Sequence, residues 1–549
     1  MDILQIKDLS IGFLQDEVWE QATNNISFTV CRGEITALVG ESGSGKSVTA
    51  LSILQLLPAT AKISGKIIYT QSGHAPLNLL KLSERDINHI RGNRISMIFQ
   101  EPMTSLNPVY TCGYQVTEVL RQHKKLTRSQ AQAEALKLFE QVELPEPASI
   151  LKRYPHQISG GQKQRVMIAM AISCAPDILI ADEPTTALDV RVQANILKLL
   201  KKIQLQSGMG ILLITHDLAL VADVADKVVV MYKGEIAEAG IAKEVLKNPA
   251  HTYTKSLLTD IIKGKKIDQQ EEKLSRKPAQ IIEAPLLSVQ HISVYFPSTS
   301  NIFNKRVLFH KAVDDVSFEV MRNEIIGLVG ESGCGKTTLG RTILQLIKPT
   351  SGKIFLENRD ITHLNASELK EVRKDLQIVF QDPYGSLNPR ITIGSSILEP
   401  LRVHNLYNNH NERKERVINL LEQVKLEPSH INRYPHQFSG GQRQRICIAR
   451  ALALNPNFIV FDESVSALDV RVQAQVLKLI NELKAGYNFT AIFISHDLSV
   501  VHYISDRILV MKKGKIVESG SSNQVYNNPQ HPYTRQLIEA MPGKGMIAL

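Results

Sequence analysis

The sequence predicts an α/β protein in which one module occurs twice. Short apolar runs bounded by glycine, such as ITALVG and IIGLVG, have the length of strands that are buried on both faces of a mainly parallel sheet. The chain also repeats itself: ALVGESGSGKSVT near residue 40 returns as GLVGESGCGKTTL near residue 330, and RYPHQISGGQKQR returns as RYPHQFSGGQRQR. These observations predict two α/β domains of the same architecture.

The repeat sets the expected domain boundaries. We expect the first module in residues 1–260 and the second in residues 285–549, each roughly 260 residues long. Residues 261–284 are polar and mixed in charge, which is typical of a linker.

Each module is also expected to contain helices outside its sheet. A helical region lies between the FQ-containing loop and the SGGQ stretch of each copy. In the second copy Val417, Leu420, Leu421 and Val424 fall on one helix face. We therefore predict a helical subdomain inserted into each α/β core.

The composition excludes several classes of protein. Of 549 residues, 43% are hydrophobic and 21% charged, which excludes a fibrous or low-complexity chain. With no apolar run of about 18 residues and no signal peptide, we expect a soluble cytosolic chain.

The net charge of +10 suits phosphate ligands, an anionic membrane surface or nucleic acid. The five scattered cysteines indicate neither a disulfide framework nor a sulfur-ligated metal site.

A glycine-rich loop of the form Gly, four residues, Gly-Lys-Ser/Thr occurs in each copy. Such a loop turns backbone N–H groups toward a phosphate at a helix N-terminus, the lysine adds positive charge, and the hydroxyl can ligate Mg²⁺. One match could be a plain glycine turn, but two with similar flanks make that reading negligible. The residues concerned are Gly40, Gly43, Gly45, Lys46 and Ser47, and then Gly330, Gly333, Gly335, Lys336 and Thr337.

An Asp-Glu pair follows a buried strand in each copy, Asp182-Glu183 and then Asp462-Glu463. The aspartate can hold Mg²⁺ and the glutamate can polarise the water that attacks the γ-phosphate. Alone, such a pair is usually a solvated turn. Its place downstream of a phosphate loop favours the catalytic interpretation.

The sequence Ser-Gly-Gly-Gln precedes a helix-like stretch in each copy. Serine and two glycines at a helix start expose N–H donors to an anion, although such a tetrapeptide alone would most often be a helix cap. The residues are Ser159, Gly160, Gly161 and Gln162, and then Ser439, Gly440, Gly441 and Gln442.

With these motifs in place, each half resembles an ATP-binding cassette of the ABC ATPase superfamily, and Ser-Gly-Gly-Gln resembles its signature motif. The resemblance covers both halves essentially end to end. It implies two tandem P-loop ATPase cassettes, each an α/β core with an inserted helical subdomain, that bind ATP with Mg²⁺ and hydrolyse it.

The resemblance assigns further roles position by position. Gln100 and Gln381 match the Q-loop glutamine, which senses Mg²⁺ and the attacking water and links to the transmembrane partner. His216 and His496 match the switch histidine that contacts the γ-phosphate.

Other roles implied by the resemblance concern the rest of the nucleotide. Asp189 and Asp469 match the D-loop, and Phe13 and Phe296 fall where the family stacks an aromatic ring on adenine. Thr338 can donate to the α-phosphate, whereas the first copy has valine at that place.

In this superfamily two cassettes pair head to tail, so that the signature of one covers the nucleotide of the other. The resemblance therefore implies two composite sites within this one chain, and no obligate homodimer. Both halves keep the glutamate, histidine and signature serine, so we expect both sites to hydrolyse ATP.

Within the superfamily, the chain resembles the ATPases of the oligopeptide, dipeptide and nickel importers, in the fused form of the microcin C and glutathione importer subunits. The cues are GESGSGKSVTALSIL, SLNP after each Q-loop, RYPHQ before each signature, and the tails NPAHTYTKSLL and NPQHPYTRQLI. Two departures are the absence of the cysteine cluster that some members carry, and Ser464 in place of the usual proline.

This likeness implies specific partners. They are two integral-membrane permease subunits and an extracytoplasmic solute-binding protein, with the chain peripheral on the cytoplasmic face of the inner membrane. The solute, whether a peptide, a modified peptide, glutathione or nickel, is left open. The alternative is a soluble tandem ABC ATPase that acts on ribosomes or nucleic acid, but the short linker with Pro278 does not resemble the long helical arm of those translation factors. We therefore expect no nucleic acid partner.

Overall fold

The computed structural model describes residues 1–15, 18–71, 73–99, 105–185, 188–258, 284–298, 308–466 and 468–541. These residues divide into two compact units, within Met1–Asp260 and Ile261–Met541. Apart from Ala284, the predicted linker lies outside the described residues, so its boundaries stay a prediction. Among the helices described, none is long and apolar enough to cross a membrane.

The strands of the first unit form two sheets. A four-stranded antiparallel sheet has the order β2-β1-β4-β5, and a six-stranded sheet has the order β10-β9-β3-β8-β7-β6. In the larger sheet only β10 runs antiparallel. The strands are β1 (Asp2–Gln15), β2 (Val18–Cys31), β3 (Ile35–Val39), β4 (Lys62–Tyr69), β5 (Leu77–Asn78), β6 (Ile95–Ile98), β7 (Ile178–Asp182), β8 (Gly210–Thr215), β9 (Lys227–Tyr232) and β10 (Glu235–Ile241).

The second unit repeats this topology. Its sheets have the orders β12-β11-β14-β15 and β16-β17-β18-β13-β19-β20, and again only the last strand of the larger sheet is antiparallel. The strands are β11 (Leu287–Ser298), β12 (Leu308–Val320), β13 (Ile325–Val329), β14 (Ser351–Leu356), β15 (Arg359–Asp360), β16 (Leu376–Val379), β17 (Phe458–Asp462), β18 (Thr490–Ser495), β19 (Arg507–Lys512) and β20 (Lys515–Ser521).

The central strands are apolar because both faces of the larger sheets are covered. Every residue of β3, β7 and β8 is buried, and the same holds for their counterparts β13, β17 and β18. Strands buried on both faces read as continuous apolar runs rather than as alternating ones. The predicted mainly parallel sheet is thus confirmed in both units.

Helices pack on these sheets and form the inserted subdomain. In the first unit they are Lys46–Ile53, Glu84–Ile90, Cys112–Lys124, Arg128–Gln141, Pro147–Ile150, Gly160–Ile172, Val190–Ser207, Leu218–Val224 and Ala242–Lys247. In the second they are Lys336–Ile343, Ala366–Asp375, Pro383–Ser386, Ile393–Val403, His410–Gln423, Gly440–Leu452, Val470–Tyr487, Leu498–Ile504, Ser522–Asn527 and Pro532–Glu539.

The inserted helices lie between the strand that precedes each Q-loop and the helix that begins at each signature. In the second unit Val417, Leu420 and Leu421 of this subdomain are fully buried, as their spacing predicts. The fold class predicted from the sequence, two α/β cassettes with inserted helices, is confirmed.

The topology also fixes where polar residues can meet. Because β7, β8 and β3 are parallel neighbours, the residues that follow them meet at one carboxyl edge of the sheet. The glycine loop follows β3, Asp182 ends β7 and His216 follows β8. The second unit places its corresponding residues at the same edge of its own sheet.

Candidate functional site

The glycine loops are shaped by close backbone contacts. A Cβ on Gly40 would lie 2.3 Å from the Met231 carbonyl oxygen, and one on Gly45, which has φ 98°, would lie 2.6 Å from the Ala22 oxygen. Only glycine fits these places. The helix Lys46–Ile53 begins directly after the loop, so its free N–H groups open toward the loop interior.

The lysine of each loop is buried and bonded to the loop itself. Lys46 is 5% exposed, and its Nζ donates to the Gly40 oxygen at 2.9 Å and to the Glu41 oxygen at 2.7 Å. Lys336 makes the same two bonds in its own loop, at 2.8 and 3.0 Å. A buried lysine that donates to neutral loop oxygens can turn to an anionic ligand when one is bound.

The hydroxyl after each lysine meets the aspartate that ends the neighbouring strand. Ser47 Oγ donates to Asp182 Oδ1 at 3.2 Å, and Thr337 Oγ1 donates to Asp462 Oδ1 at 2.8 Å. Hydroxyl and carboxylate oxygens are the ligand types that Mg²⁺ takes beside nucleotide phosphates. The donor set at both sites therefore fits a magnesium ion.

The surroundings of these two aspartates raise their pKa values. Burial is the main cause for Asp182, whose pKa is raised to about 6 despite the Ser47 hydrogen bond. Burial also raises the pKa of Asp462, against the opposing effects of the Thr337 hydrogen bond and the Arg341 charge. An Arg341 guanidinium nitrogen lies 3.9 Å from Asp462 Oδ2.

Each catalytic candidate glutamate sits in a strained turn beside its histidine. Glu183 and Glu463 both have φ 46°, a left-handed conformation that costs free energy in residues other than glycine and is concentrated at functional sites. His216 Nδ1 lies 3.1 Å from Glu183 Oε1, and His496 Nδ1 lies 3.5 Å from Glu463 Oε2. The structure thus brings each predicted glutamate and histidine together.

Hydrogen bonds and charge outweigh burial in setting the protonation of these pairs. Burial lowers the pKa of His216, but the Glu183 hydrogen bond and charge more than offset it and raise that pKa. The pKa of His496 is raised in the same way. Burial raises the pKa of Glu463, yet His496 and the Lys336 charge hold it below its ordinary value.

The Q-loop glutamine can be placed in only one unit. Gln381 Nε2 donates to Glu463 Oε2 at 3.0 Å, which brings this residue into the cluster with the glutamate and histidine. Lys336 Nζ is also 3.7 Å from Glu463 Oε1. Gln100 lies outside the described residues, so its role stays a prediction.

The signature motifs are helix starts, as their composition indicates. Ser159 caps the helix Gly160–Ile172 by accepting from the Gln162 N–H at 3.3 Å, and the Gln162 side chain accepts from the Ser159 N–H at 3.0 Å. Ser439 and Gln442 form the same capping box in the second unit. Their contact with a nucleotide, and the composite sites, stay predictions.

The second signature glycine is required by packing. A Cβ on Gly161 would lie 2.7 Å from Val192 Cγ1, and one on Gly441 would lie 2.2 Å from Val472 Cγ1. The two valines belong to the helices that begin after the D-loop aspartates. Asp189 Oδ1 accepts from the Val192 N–H at 2.9 Å and so caps that helix, and Asp469 does the same in the second unit.

The two predicted adenine-stacking rings differ in exposure. Phe296 is 41% exposed on β11, whereas Phe13 is partly buried and packs against the apolar core beneath the antiparallel sheet. Sequence reasoning overlooked Trp19, which is 52% exposed on the neighbouring strand β2. Its signal was simple, since it is the one tryptophan in the chain. Adenine stacking by either phenylalanine stays a prediction.

Sequence reasoning also missed a tyrosine at each glycine loop. The Tyr253 hydroxyl accepts from the Glu41 N–H at 3.2 Å, and the Tyr533 hydroxyl accepts from the Glu331 N–H at 3.1 Å. The available signal was the Tyr-Thr pair that recurs in both tails.

Comparison with known proteins agrees with this geometry. A family model described as "ABC transporter" matches residues 23–186 and 313–466. A second, described as "Oligopeptide/dipeptide transporter, C-terminal region", matches residues 237–285 and 517–545.

Similar curated proteins span almost the whole chain. The glutathione import ATP-binding protein GsiA of Escherichia coli O157:H7 is 47% identical over 98% of this chain and 90% of its own length. The protein of the same name from Escherichia coli K12 is 46% identical over the same shares. Among solved structures, cbiO1 of Clostridium perfringens, part of an ABC transporter complex, is 25% identical over 45% of this chain and 92% of its own, with a TM-score of 0.39.

Proposed function

Because the chain belongs to the ABC transporter family and is an ATP hydrolase of that family, we propose that it powers the import of peptides or peptide-like solutes, glutathione among them, through separate membrane permease subunits. The observation that carries this proposal is the importer-type tail, which follows both cassettes at residues 237–285 and 517–545. The similarity to glutathione import ATP-binding proteins over 98% of the chain supports the same solute class.

At each site we assign the phosphates of ATP to the glycine loop. Lys46 and Lys336 leave their loop carbonyls to pair with the β- and γ-phosphates, while the backbone N–H groups hold the phosphate oxygens. Ser47 with Asp182, and Thr337 with Asp462, would hold Mg²⁺, together with Gln100 and Gln381 of the Q-loops. Bound there, the ion would neutralise charge on the phosphates.

Hydrolysis then depends on the glutamates. We assign Glu183 and Glu463 as the bases that take a proton from the attacking water. Because its pKa lies below the ordinary value, Glu463 is ionised at neutral pH, which is the form that a proton acceptor requires. His216 and His496 orient these carboxylates. The Gln381 side chain adds a hydrogen bond to the Glu463 carboxylate.

The proposed partners follow from the importer class. They are two integral-membrane permease subunits and an extracytoplasmic solute-binding protein, with this chain peripheral on the cytoplasmic face of the inner membrane. Solute selection would then lie in those partners, and this chain would supply the free energy of ATP hydrolysis.

An uptake assay tests the proposal. Cells that lack the chain are supplied with wild type or with the Glu183→Gln, Glu463→Gln double variant, and uptake of labelled glutathione and of a labelled tripeptide is measured. We expect uptake only with wild type, and copurification of permease subunits with both forms of the tagged chain. Unchanged uptake in the deleted cells, with ATP hydrolysis stimulated by ribosomes or nucleic acid, would refute the import function.

A further inference from the structure

A buried tyrosine from the tail of each cassette contacts the glycine loop. Tyr253 is 6% exposed and Tyr533 is 1% exposed. Each hydroxyl accepts a hydrogen bond from the backbone N–H of the glutamate that follows the first loop glycine, Glu41 or Glu331. The partners are 212 residues apart in the first unit and 202 in the second, so the contact is made by tertiary folding.

The tyrosine hydrogen bond is the second of two that restrain the Gly40–Glu41 peptide. The carbonyl of the Gly40–Glu41 peptide accepts from Lys46 Nζ at 2.9 Å, and its N–H donates to Tyr253 at 3.2 Å. In the second unit the corresponding distances are 2.8 Å to the lysine and 3.1 Å to the tyrosine. The peptide beside the phosphate-binding lysine is therefore held at both ends.

The lysine can hold its end only while no phosphate is bound. When Lys46 turns to a phosphate, the Gly40 carbonyl loses its partner and the tyrosine remains as the restraint. Gly40 has no side chain to hinder rotation of that peptide. A rotated peptide would bring a carbonyl dipole toward the nucleotide and lower its affinity.

The tyrosine is itself positioned by a short chain of bonds. His251 Nδ1 accepts from the backbone N–H of Tyr253 at 3.1 Å. The Glu238 carboxylate accepts from the backbone N–H of His251, also at 3.1 Å. His531 and Glu518 make the same bonds in the second unit, both at 3.1 Å.

The ring contacts of the two tyrosines, in contrast, differ. Tyr253 stacks on Tyr232 with the ring centres 4.1 Å apart, whereas the Tyr533 ring has the Lys512 ammonium 4.6 Å from its centre. The hydroxyl bond recurs while the ring packing does not. This favours a role for the hydroxyl beyond filling space.

We propose that Tyr253 and Tyr533 are positioning residues for ATP binding. Each holds the peptide between the first loop glycine and the following glutamate, so that the loop keeps its shape when the loop lysine pairs with phosphate. The inference rests on the loops binding ATP as proposed above. It gives the importer-type tail a task at the nucleotide site of its own cassette.

The test removes the hydroxyl and keeps the ring. Tyr253→Phe is measured in the full chain carrying Lys336→Ala, so that only the first loop binds nucleotide, and Tyr533→Phe is measured with Lys46→Ala. Affinity for a non-hydrolysable ATP analogue with Mg²⁺ should fall about 3- to 10-fold, the usual worth of one hydrogen bond. In the otherwise wild-type chain, KM for ATP should rise while kcat stays within about twofold.

Tyr69→Phe is the matched control. Tyr69 is 1% exposed and its hydroxyl donates to Asp177 at 2.7 Å, next to the amino end of β7 and so at the opposite edge of the sheet from the glycine loop. It should lower thermal stability without changing nucleotide affinity. The proposal is overturned if the tail variants leave affinity unchanged, or if Tyr69→Phe lowers it equally. If the double variant Lys46→Ala, Lys336→Ala still binds the analogue as wild type does, the ATP site itself is wrong and both proposals fail.

Discussion

The two cassettes share a site geometry but not its electrostatics. In the second unit an Arg341 guanidinium nitrogen lies 3.9 Å from a carboxylate oxygen of Asp462, which ends β17. The corresponding residue of the first unit is the uncharged Leu51. Burial raises the pKa of Asp182 to about 6, and burial also raises the pKa of Asp462, where the Arg341 guanidinium opposes the effect. Identical motifs therefore do not guarantee sites of equal ion affinity.

A second difference lies directly after the glutamates that we assign as catalytic bases. Pro184 follows Glu183, but Ser464 follows Glu463, and among the described residues the buried Ser464 hydroxyl has no hydrogen-bond partner. The glutamate keeps the same φ of 46° in both units, so the turn does not depend on proline. The backbone turn at the glutamate is thus the same in both units although the residue after it differs.

The largest effect is expected from the glutamates. The double variant Glu183→Gln, Glu463→Gln should hydrolyse ATP on the order of 10² or more slower, because an amide cannot take the proton of the attacking water. It should still bind MgATP, which a filter-binding measurement would show. Each single variant then reports the share of its own cassette.

The control for this prediction is Glu371→Gln, an exposed glutamate on the helix Ala366–Asp375. It should hydrolyse ATP at the wild-type rate. Near-normal hydrolysis by the double variant would contradict the assignment of both glutamates.

An intermediate effect is expected when the buried aspartates are replaced and the stability of the nucleotide-free protein is measured. Because the folded-state pKa of Asp182 lies above its ordinary value of 3.8, the folded state binds the proton more tightly, and stability falls as pH rises from about 4 to about 6. Asp182→Asn should therefore raise the free energy of unfolding by up to about 3 kcal/mol at pH 7.5, with a gain that shrinks as pH falls below about 6.

Asp462→Asn sharpens the comparison. Its gain should be smaller, because the substitution also removes the partner of Arg341. Denaturant unfolding of both variants between pH 5 and pH 8 measures the difference. A gain that is independent of pH, or larger for Asp462→Asn, would show that burial of charge is not the cause.

The smallest effect is expected from the residue after the hydroxyl that we assign to magnesium. Val48→Thr should tighten nucleotide binding at the first site and Thr338→Val should weaken it at the second, each by up to about tenfold, because one hydrogen bond to phosphate is gained or lost. Val48 already packs against the core and threonine has nearly its shape, so folding should not change. Titration with a fluorescent ATP analogue measures both. If neither exchange changes affinity, the asymmetry is one of packing alone.

The features that depend on local sequence pattern could be predicted from the sequence. The buried strands, the loops after them and the helix starts follow from apolar runs and glycine spacing, and the parallel topology then gathers Lys46, Asp182, Glu183 and His216 at one sheet edge. The contact of His216 with Glu183, 33 residues apart, is of this kind.

Contacts between distant segments could not be predicted in the same way. The Tyr-Thr pair that recurs in both tails singles out this tyrosine, but it does not indicate that the Tyr253 hydroxyl meets a backbone N–H 212 residues away. Likewise, Arg341 reads as an exposed helix residue until β17 is placed beside it. Phe13 is a further case, since its position in the sequence does not indicate that it packs partly against the core beneath the antiparallel sheet.

The glycine of each signature that packs on the D-loop helix has a mechanical consequence. With no side chain between Gly441 and Val472, the helices Gly440–Leu452 and Val470–Tyr487 touch almost backbone to side chain, and neither can slide along the other without displacing the valine. Displacing the helix that begins at a signature therefore presses on the valine of the helix that begins at the D-loop, which couples these two motifs within one cassette.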